Sequence, residues 1–211
     1  MLFSCDDRYM MMDGGPSSAS SFVVAYLKKQ NIESLDYVIA SHYDSDHING
    51  LVGVLNVFDT ETFIGPDYVA DTKIYDSLMD KLAAQNLTIT FPKAGDSYTF
   101  GDAVFTIVAP ITYSDDNEND NSVGIRMTYG DTSFLIYGDG EEAGEQAMIA
   151  SGSASLNPAQ RDLCETVFHK FLSKAFSSVT NAYSSREAST ASWIVSASAY
   201  RFCLLYTSPS P

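Results

Sequence analysis

The chain has 211 residues, is 45% hydrophobic and carries a formal net charge of -15. That is enough apolar material for one sizeable core, so a single domain is the expectation, and the acidic balance weighs against avid nucleic-acid binding unless a local patch or bound metal reverses its sign. Cys5, Cys164 and Cys203 are far apart and form no CxxC, which argues against a disulfide framework or a thiolate metal site, and no apolar run approaches membrane-spanning length.

Met1 to Asp7 reads as the end of a strand running into a turn, with no signal-peptide pattern. It suggests a start inside a domain and leaves the compartment open: secreted, cytoplasmic or membrane-associated. Arg8 to Met12 is a short apolar strand stopped by the turn signal Asp13-Gly14-Gly15-Pro16. The serines that follow offer helix N-caps, and Phe22, Val23, Tyr26 and Leu27 recur at helical spacing as far as Lys28-Lys29. Leu35 to Ala40 predicts a buried strand, Ile48 to Val57 a helix, Thr60 to Ile64 a short strand and Thr72 to Gln85 an amphipathic helix. The middle of the chain turns to β. Ser97–Phe100 and Ala103–Val108 flank Gly101-Asp102, while Val123–Tyr129 and Thr132–Tyr137 flank Gly130-Asp131, and both patterns are hairpin signatures. Glu141 to Ile149 predicts a helix with acidic residues in its first turn, where the helix dipole favours them.

After about Ser151 the local consistency fades. The expected division is a domain over 1–152, a tail of doubtful origin over 153–202, and a 203–211 segment that matches a translated sequencing-library adapter and is left out of fold reasoning. A natural Ser/Pro-rich tail is the competing reading of that last segment.

The chemistry concentrates in Ser41-His42-Tyr43-Asp44-Ser45-Asp46-His47, directly after a predicted buried strand. Alternate residues of an extended loop point the same way, so His42, Asp44 and Asp46 can converge, with His47 opening the next helix and turning back toward them. Imidazole suits Zn²⁺, and carboxylate suits Zn²⁺, Mn²⁺ or harder ions. A polar surface loop or an oxygen-only Ca²⁺ loop competes with this reading, although the two histidines argue against Ca²⁺. Carboxylates sharing a pocket repel one another and should show raised pKa values when no cation is counted. Ser41 and Cys5 have no general base arranged beside them and read as structural.

This stretch resembles the HxHxDH signature of the metallo-β-lactamase superfamily, with Asp in place of the second His. The HxDxDH variant is similar to the branch containing the C-terminal domain of ComEC-type DNA-uptake (competence) proteins and their stand-alone relatives. Asp13-Gly14-Gly15, Asn119-Asp120-Asn121-Ser122-Val123 and Phe134-Leu135-Ile136-Tyr137-Gly138-Asp139 match further segments of that family. The resemblance implies an α/β fold, an αββα sandwich whose N-terminal half is recognisable here and whose C-terminal part is truncated or scrambled. It implies a hydrolase with two divalent ions, Zn or Mn. His42 and Asp44 would hold the first, Asp46 and His47 the second, and Asp139 would bridge them. Asp46 would also be needed for turnover. Asp13 would fix the metal loop by hydrogen bonds, and Asn121 and Ser122 would border the first metal. Read alone, Asp139 would be a turn residue before Gly140.

The chain departs from that pattern in two places. A Gly-Gln-Gly-Asp-type opening segment is absent, and so is the His-His-Gly-Ser segment that supplies a further ligand to the second metal. His169, in Val167-Phe168-His169-Lys170, lacks that context and reads as a surface or partly buried histidine. One ion should therefore bind better than two. The competence branch favours a phosphodiester substrate, DNA among them, and an extracytoplasmic or membrane-associated location. A small ester, thioester or lactam, or a non-catalytic metal-binding fragment, is the alternative.

Overall fold

The computed structural model describes residues 1–130 and 132–153, and the expectations for the tail, His169 and the 203–211 segment lie outside the described residues. The hairpin β1 (Leu2–Cys5) and β2 (Arg8–Met12) turns through Asp6 and Asp7, both at positive φ, a left-handed pair that matches the right-handed twist of its strands. β3 (Ser34–Ile39), β4 (Asp59–Ile64) and the short β5 (Ile89–Thr90) add in parallel to give one sheet in the order β1-β2-β3-β4-β5. Parallel neighbours need crossovers, and α1 (Ser17–Lys29), α2 (Ser45–Leu55) and α3 (Lys73–Ala84) supply them. The second sheet, β6 (Ser97–Phe100), β7 (Ala103–Ala109), β8 (Gly124–Tyr129) and β9 (Thr132–Tyr137), is an antiparallel meander.

Side chains of period two divide the first sheet between two cores. Met11, Val38 and Phe63 face the helices and pack with Leu27, Leu51, Val54, Leu78 and Leu82. Met10, Met12, Ile39 and Ile64 face the second sheet and pack with Phe105, Ile107, Ile125 and Ile136. α4 (Glu142–Ser151) packs against β7 with Met148 buried, and Ser153 Oγ just beyond it donates to the Val108 carbonyl at 2.8 Å. The layers are helix, sheet, sheet, helix, as the resemblance implies.

Three local differences have physical causes. The serines expected to cap α1 lie inside its first turns, and Pro16, whose fixed φ suits a helix start, stands at the N-cap without a side-chain bond. α2 begins three residues earlier than its apolar periodicity predicts, because Asp44 takes the extended N-cap conformation and Ser45 and Asp46 form a polar first turn. A 3₁₀ turn at Glu118–Asn121, invisible to periodicity, joins β7 to β8.

Candidate metal centre

β3 ends at Ile39, and its continuation carries Ser41 and His42 along the top of the first sheet, fully buried. His47 follows in the first turn of α2, also buried. Asp139 arrives from the other sheet, two residues past the end of β9. Ligand atoms of His42, His47 and Asp139 all lie within 4.8 Å of one another, and the two imidazole centroids are 4.0 Å apart. His47 Nε2 faces Asp139 Oδ2 at 3.4 Å, and His42 Nε2 faces Asp44 Oδ2 at 3.5 Å.

Asp13 lies beneath this group. Its backbone is left-handed (φ 54), a conformation Asp tolerates better than most residues. Oδ1 accepts the Ser41 N–H at 2.8 Å, while Oδ2 faces Ser41 Oγ at 2.8 Å and His47 Nδ1 at 3.0 Å. Backbone contacts lock the same region: Gly14 N–H donates to the His47 carbonyl at 2.7 Å, and Gly50 N–H to the Gly15 carbonyl at 3.0 Å. A Cβ on Gly14 would stand 2.2 Å from Leu51 N, so the β2–α1 loop and α2 touch backbone to backbone.

The electrostatics follow from burial and these neighbours. Burial pushes the Asp13 carboxyl up, but the hydrogen bond and charge of His47 and the Ser41 N–H outweigh it and leave the pKa below the ordinary value. The expected rise is thus reversed at Asp13, because donors rather than other carboxylates surround it. Burial also opposes a charge on His47, yet Asp13, Asp139 and Asp46 together hold its pKa above the ordinary value. For His42, burial and then the neighbouring His47 win, and its pKa is lowered.

The remaining sequence candidates lie at the rim or behind the centre. Asp44 is 51% exposed, and Asp46 projects from the first turn of α2 as an exposed residue. Because α2 starts before it, Asp46 stands in a helical first turn and not in the extended loop, and its charge acts on His47. Asn121 is buried but holds a loop, its amide bonded to both the N–H and the carbonyl of Ser114. Ser122 is fully buried, close to the place where a Cβ on Gly138 would sit. Tyr68 accepts the Tyr43 N–H at 3.0 Å; burial, with Glu118 and Asp44, keeps its phenol above the ordinary value.

Asp120 has a role that its sequence context does not disclose. Its Oδ1 accepts the N–H groups of Glu141 at 3.0 Å and Gly144 at 3.2 Å, capping α4 from a distant segment because Glu141, at the N-cap, makes no side-chain cap bond. The cap holds the chain just beyond Asp139. Its only sequence signal is a cap-type residue in the Asn119–Ser122 segment, and nothing local shows which helix it serves.

The donor set fits a divalent metal. His42 Nε2 and Asp139 Oδ1 are buried without a hydrogen-bond partner among the described residues, a costly state that a cation relieves. The metallo-beta-lactamase superfamily model matches residues 5–187, a span that continues past 152. ComE operon protein 3 of Bacillus subtilis (strain 168) is 23% identical over 133 residues, covering 63% of this chain and 17% of that protein, so the chain spans about a sixth of that relative's length. Among solved structures, the metallo-β-lactamase fold protein YhfI from Bacillus subtilis is 23% identical with a TM-score of 0.42, over 64% of this chain and 52% of that one. The MIM-2 metallo-β-lactamase is 12% identical with a TM-score of 0.47, over 71% and 62%.

Proposed function

The chain belongs to the metallo-β-lactamase superfamily, and from that premise we propose that it is a hydrolase that uses divalent ions, Zn or Mn, to cleave a phosphodiester. The observation that carries the reading is the convergence of His42 and His47 from the β3–α2 junction with Asp139 from the end of β9, where His42 Nε2 and Asp139 Oδ1 are buried without a hydrogen-bond partner among the described residues. His42, Asp44 and Asp139 would hold one ion, and Asp46, His47 and Asp139 a second. Such a pair supplies an activated water and offsets the negative charge that develops in the transition state. The chain's own contribution is orientation: Asp13 holds the His47 ring from behind, and the buried walls around Ser41 and Ser122 keep bulk water from the histidines' far side. Asp44 already faces His42 Nε2 at 3.5 Å, and the Asp46 charge acts on His47.

Phosphodiester is favoured by the likeness to ComE operon protein 3 and by the HxDxDH loop, with DNA as the candidate partner and an extracytoplasmic or membrane-associated site of action. No helix among the described residues is long and apolar enough to cross a membrane. A specific observation supports a second reading, a small ester, thioester or lactam: Asp44, Asp46 and Glu118 make the rim acidic, which repels a polyanion until metal is bound.

The test compares bis-p-nitrophenyl phosphate, p-nitrophenyl acetate and nitrocefin, each with Mn²⁺ or Zn²⁺. Slow, metal-dependent phosphodiester turnover that Asp46→Ala abolishes is the expected result. Turnover of the acetate or nitrocefin alone would move the substrate to the second reading, and metal binding without any turnover would leave a metal-binding protein.

A further inference from the structure

We propose that Ser41 is a positioning residue that fixes which ring nitrogen of His42 carries the hydrogen, leaving the Nε2 lone pair for the metal centre. The inference rests on the metal reading of this site, but its evidence is a count of protons and lone pairs. Ser41 Oγ lies 2.8 Å from Asp13 Oδ2, 3.0 Å from His42 Nδ1 and 3.3 Å from His47 Nδ1. A hydroxyl has one proton to give and two lone pairs, and a carboxylate only accepts. Two acceptors therefore compete for the Ser41 proton: the charged Asp13 Oδ2 and, if it lacks a hydrogen, the neutral His42 Nδ1. The charge-assisted bond is the stronger and here also the shorter.

With the hydroxyl proton on the Asp13 side, Ser41 Oγ presents a lone pair to His42. Nδ1 of His42 then carries the ring's hydrogen, and Nε2 keeps its lone pair; Asp44 Oδ2, 3.5 Å from Nε2, makes no hydrogen bond that would draw the hydrogen to that side. The opposite assignment would press the fully buried Ser41 hydroxyl oxygen against a carboxylate oxygen at 2.8 Å with no hydrogen between them. His47 needs no relay, because its Nδ1 faces Asp13 Oδ2 directly at 3.0 Å. One carboxylate thus sets both rings, His47 directly and His42 through Ser41.

The surroundings hold Ser41 in this position. Its N–H donates to Asp13 Oδ1, and its carbonyl accepts the Val123 N–H at 2.7 Å. Gly138 closes over it: a Cβ there would stand 2.5 Å from Ser41 Cβ and 2.6 Å from Oγ, so any side chain at 138 would push the hydroxyl off its partners.

The experiment is long-range ¹H–¹⁵N NMR of the imidazoles in the metal-free chain, paired with Zn²⁺ titration, for the native chain and Ser41→Ala. The expected result is a native His42 in the Nδ1–H form, a shift of that ring toward the Nε2–H form or a mixture in Ser41→Ala with His47 unchanged, and a loss of Zn²⁺ affinity of roughly 10- to 100-fold. A native His42 in the Nε2–H form, or a Ser41→Ala chain that keeps both tautomer and affinity, overturns the proposal. If Ser41→Ala fails to fold, the native spectrum still decides. A native chain with the Nδ1–H form that binds no Zn²⁺ would sink the metal reading while leaving the hydrogen-bond assignment intact.

Discussion

The histidines and Asp139 reach one point from regions of unlike construction. His42 and His47 come from the junction of β3 and α2, where strand, loop and helix meet backbone to backbone: Gly14 against Leu51, Gly14 N–H on His47, Gly50 N–H on Gly15, and Asp13 bonded to Ser41 and His47. Asp139 comes from the β9–α4 junction, where it is 27% exposed and side chains do the holding: Asp120 caps α4 from across the loop, and Tyr137 packs over Gly140 and Gly144. Damage to the first region should therefore spread through the fold, whereas damage to the second should stay local and be read mainly through the metal.

Gly14→Ala is the harshest test of that contrast. The added methyl meets backbone that cannot rotate away, and the expected cost is about 3 kcal/mol, the upper part of the overpacking range. Thermal unfolding measures it, and a near-neutral Gly14→Ala would mean that the two segments are not in fixed contact. Asp13→Ala comes next. It leaves the Ser41 N–H and the His47 Nδ1–H without their acceptor, an expected loss of about 2 kcal/mol. Metal affinity should fall with it by roughly 10- to 100-fold.

Asp120→Ala should cost only about 1 kcal/mol, the value of a helix cap. Hydrogen exchange should show α4 opening while β2, β3 and α2 keep their protection, and a loss of protection in β3 would erase the contrast. The smallest effect is pH-dependent. In the metal-free chain the raised His47 pKa contributes stability that is present below the ordinary value of 6.5 and is lost as pH rises through the folded value. The lowered Asp13 pKa contributes stability present above its ordinary 3.8 and lost as pH falls through the folded value. With Zn²⁺ bound, the slope near neutral pH should reverse, since protons compete with the ion for His47. Melting temperatures between pH 6 and 9, with and without Zn²⁺, check the sign.

The same contrast explains what the sequence discloses. The residues of β2, the β6–β7 hairpin and the candidate ligands are legible because local pattern determines them: apolar alternation, Gly-Asp turns, and four ligand-type side chains in six positions. The start of α2 is not, since its first turn is polar and lacks apolar periodicity, and so Asp46 stands on a helix and not in the extended loop that alternation assumes. Asp120 and Ser41 act through partners far along the chain or through the direction of one proton, and neither leaves a mark in residue spacing. Ser41 therefore reads as an inert neighbour of His42 until the distances to Asp13 are known.

The two regions are proposed to hold a divalent ion jointly. The direct measurement is Zn²⁺ titration of the native chain by calorimetry, with stoichiometry from elemental analysis, alongside Asp139→Asn and His42→Ala. Zn²⁺ should bind at one or two equivalents, with affinity reduced at least tenfold by either substitution while the unfolding transition of the metal-free chain is retained. Binding that survives Asp139→Asn unchanged would show that the β9–α4 junction plays no part in the centre, and a native chain that binds no divalent ion would contradict the claim outright.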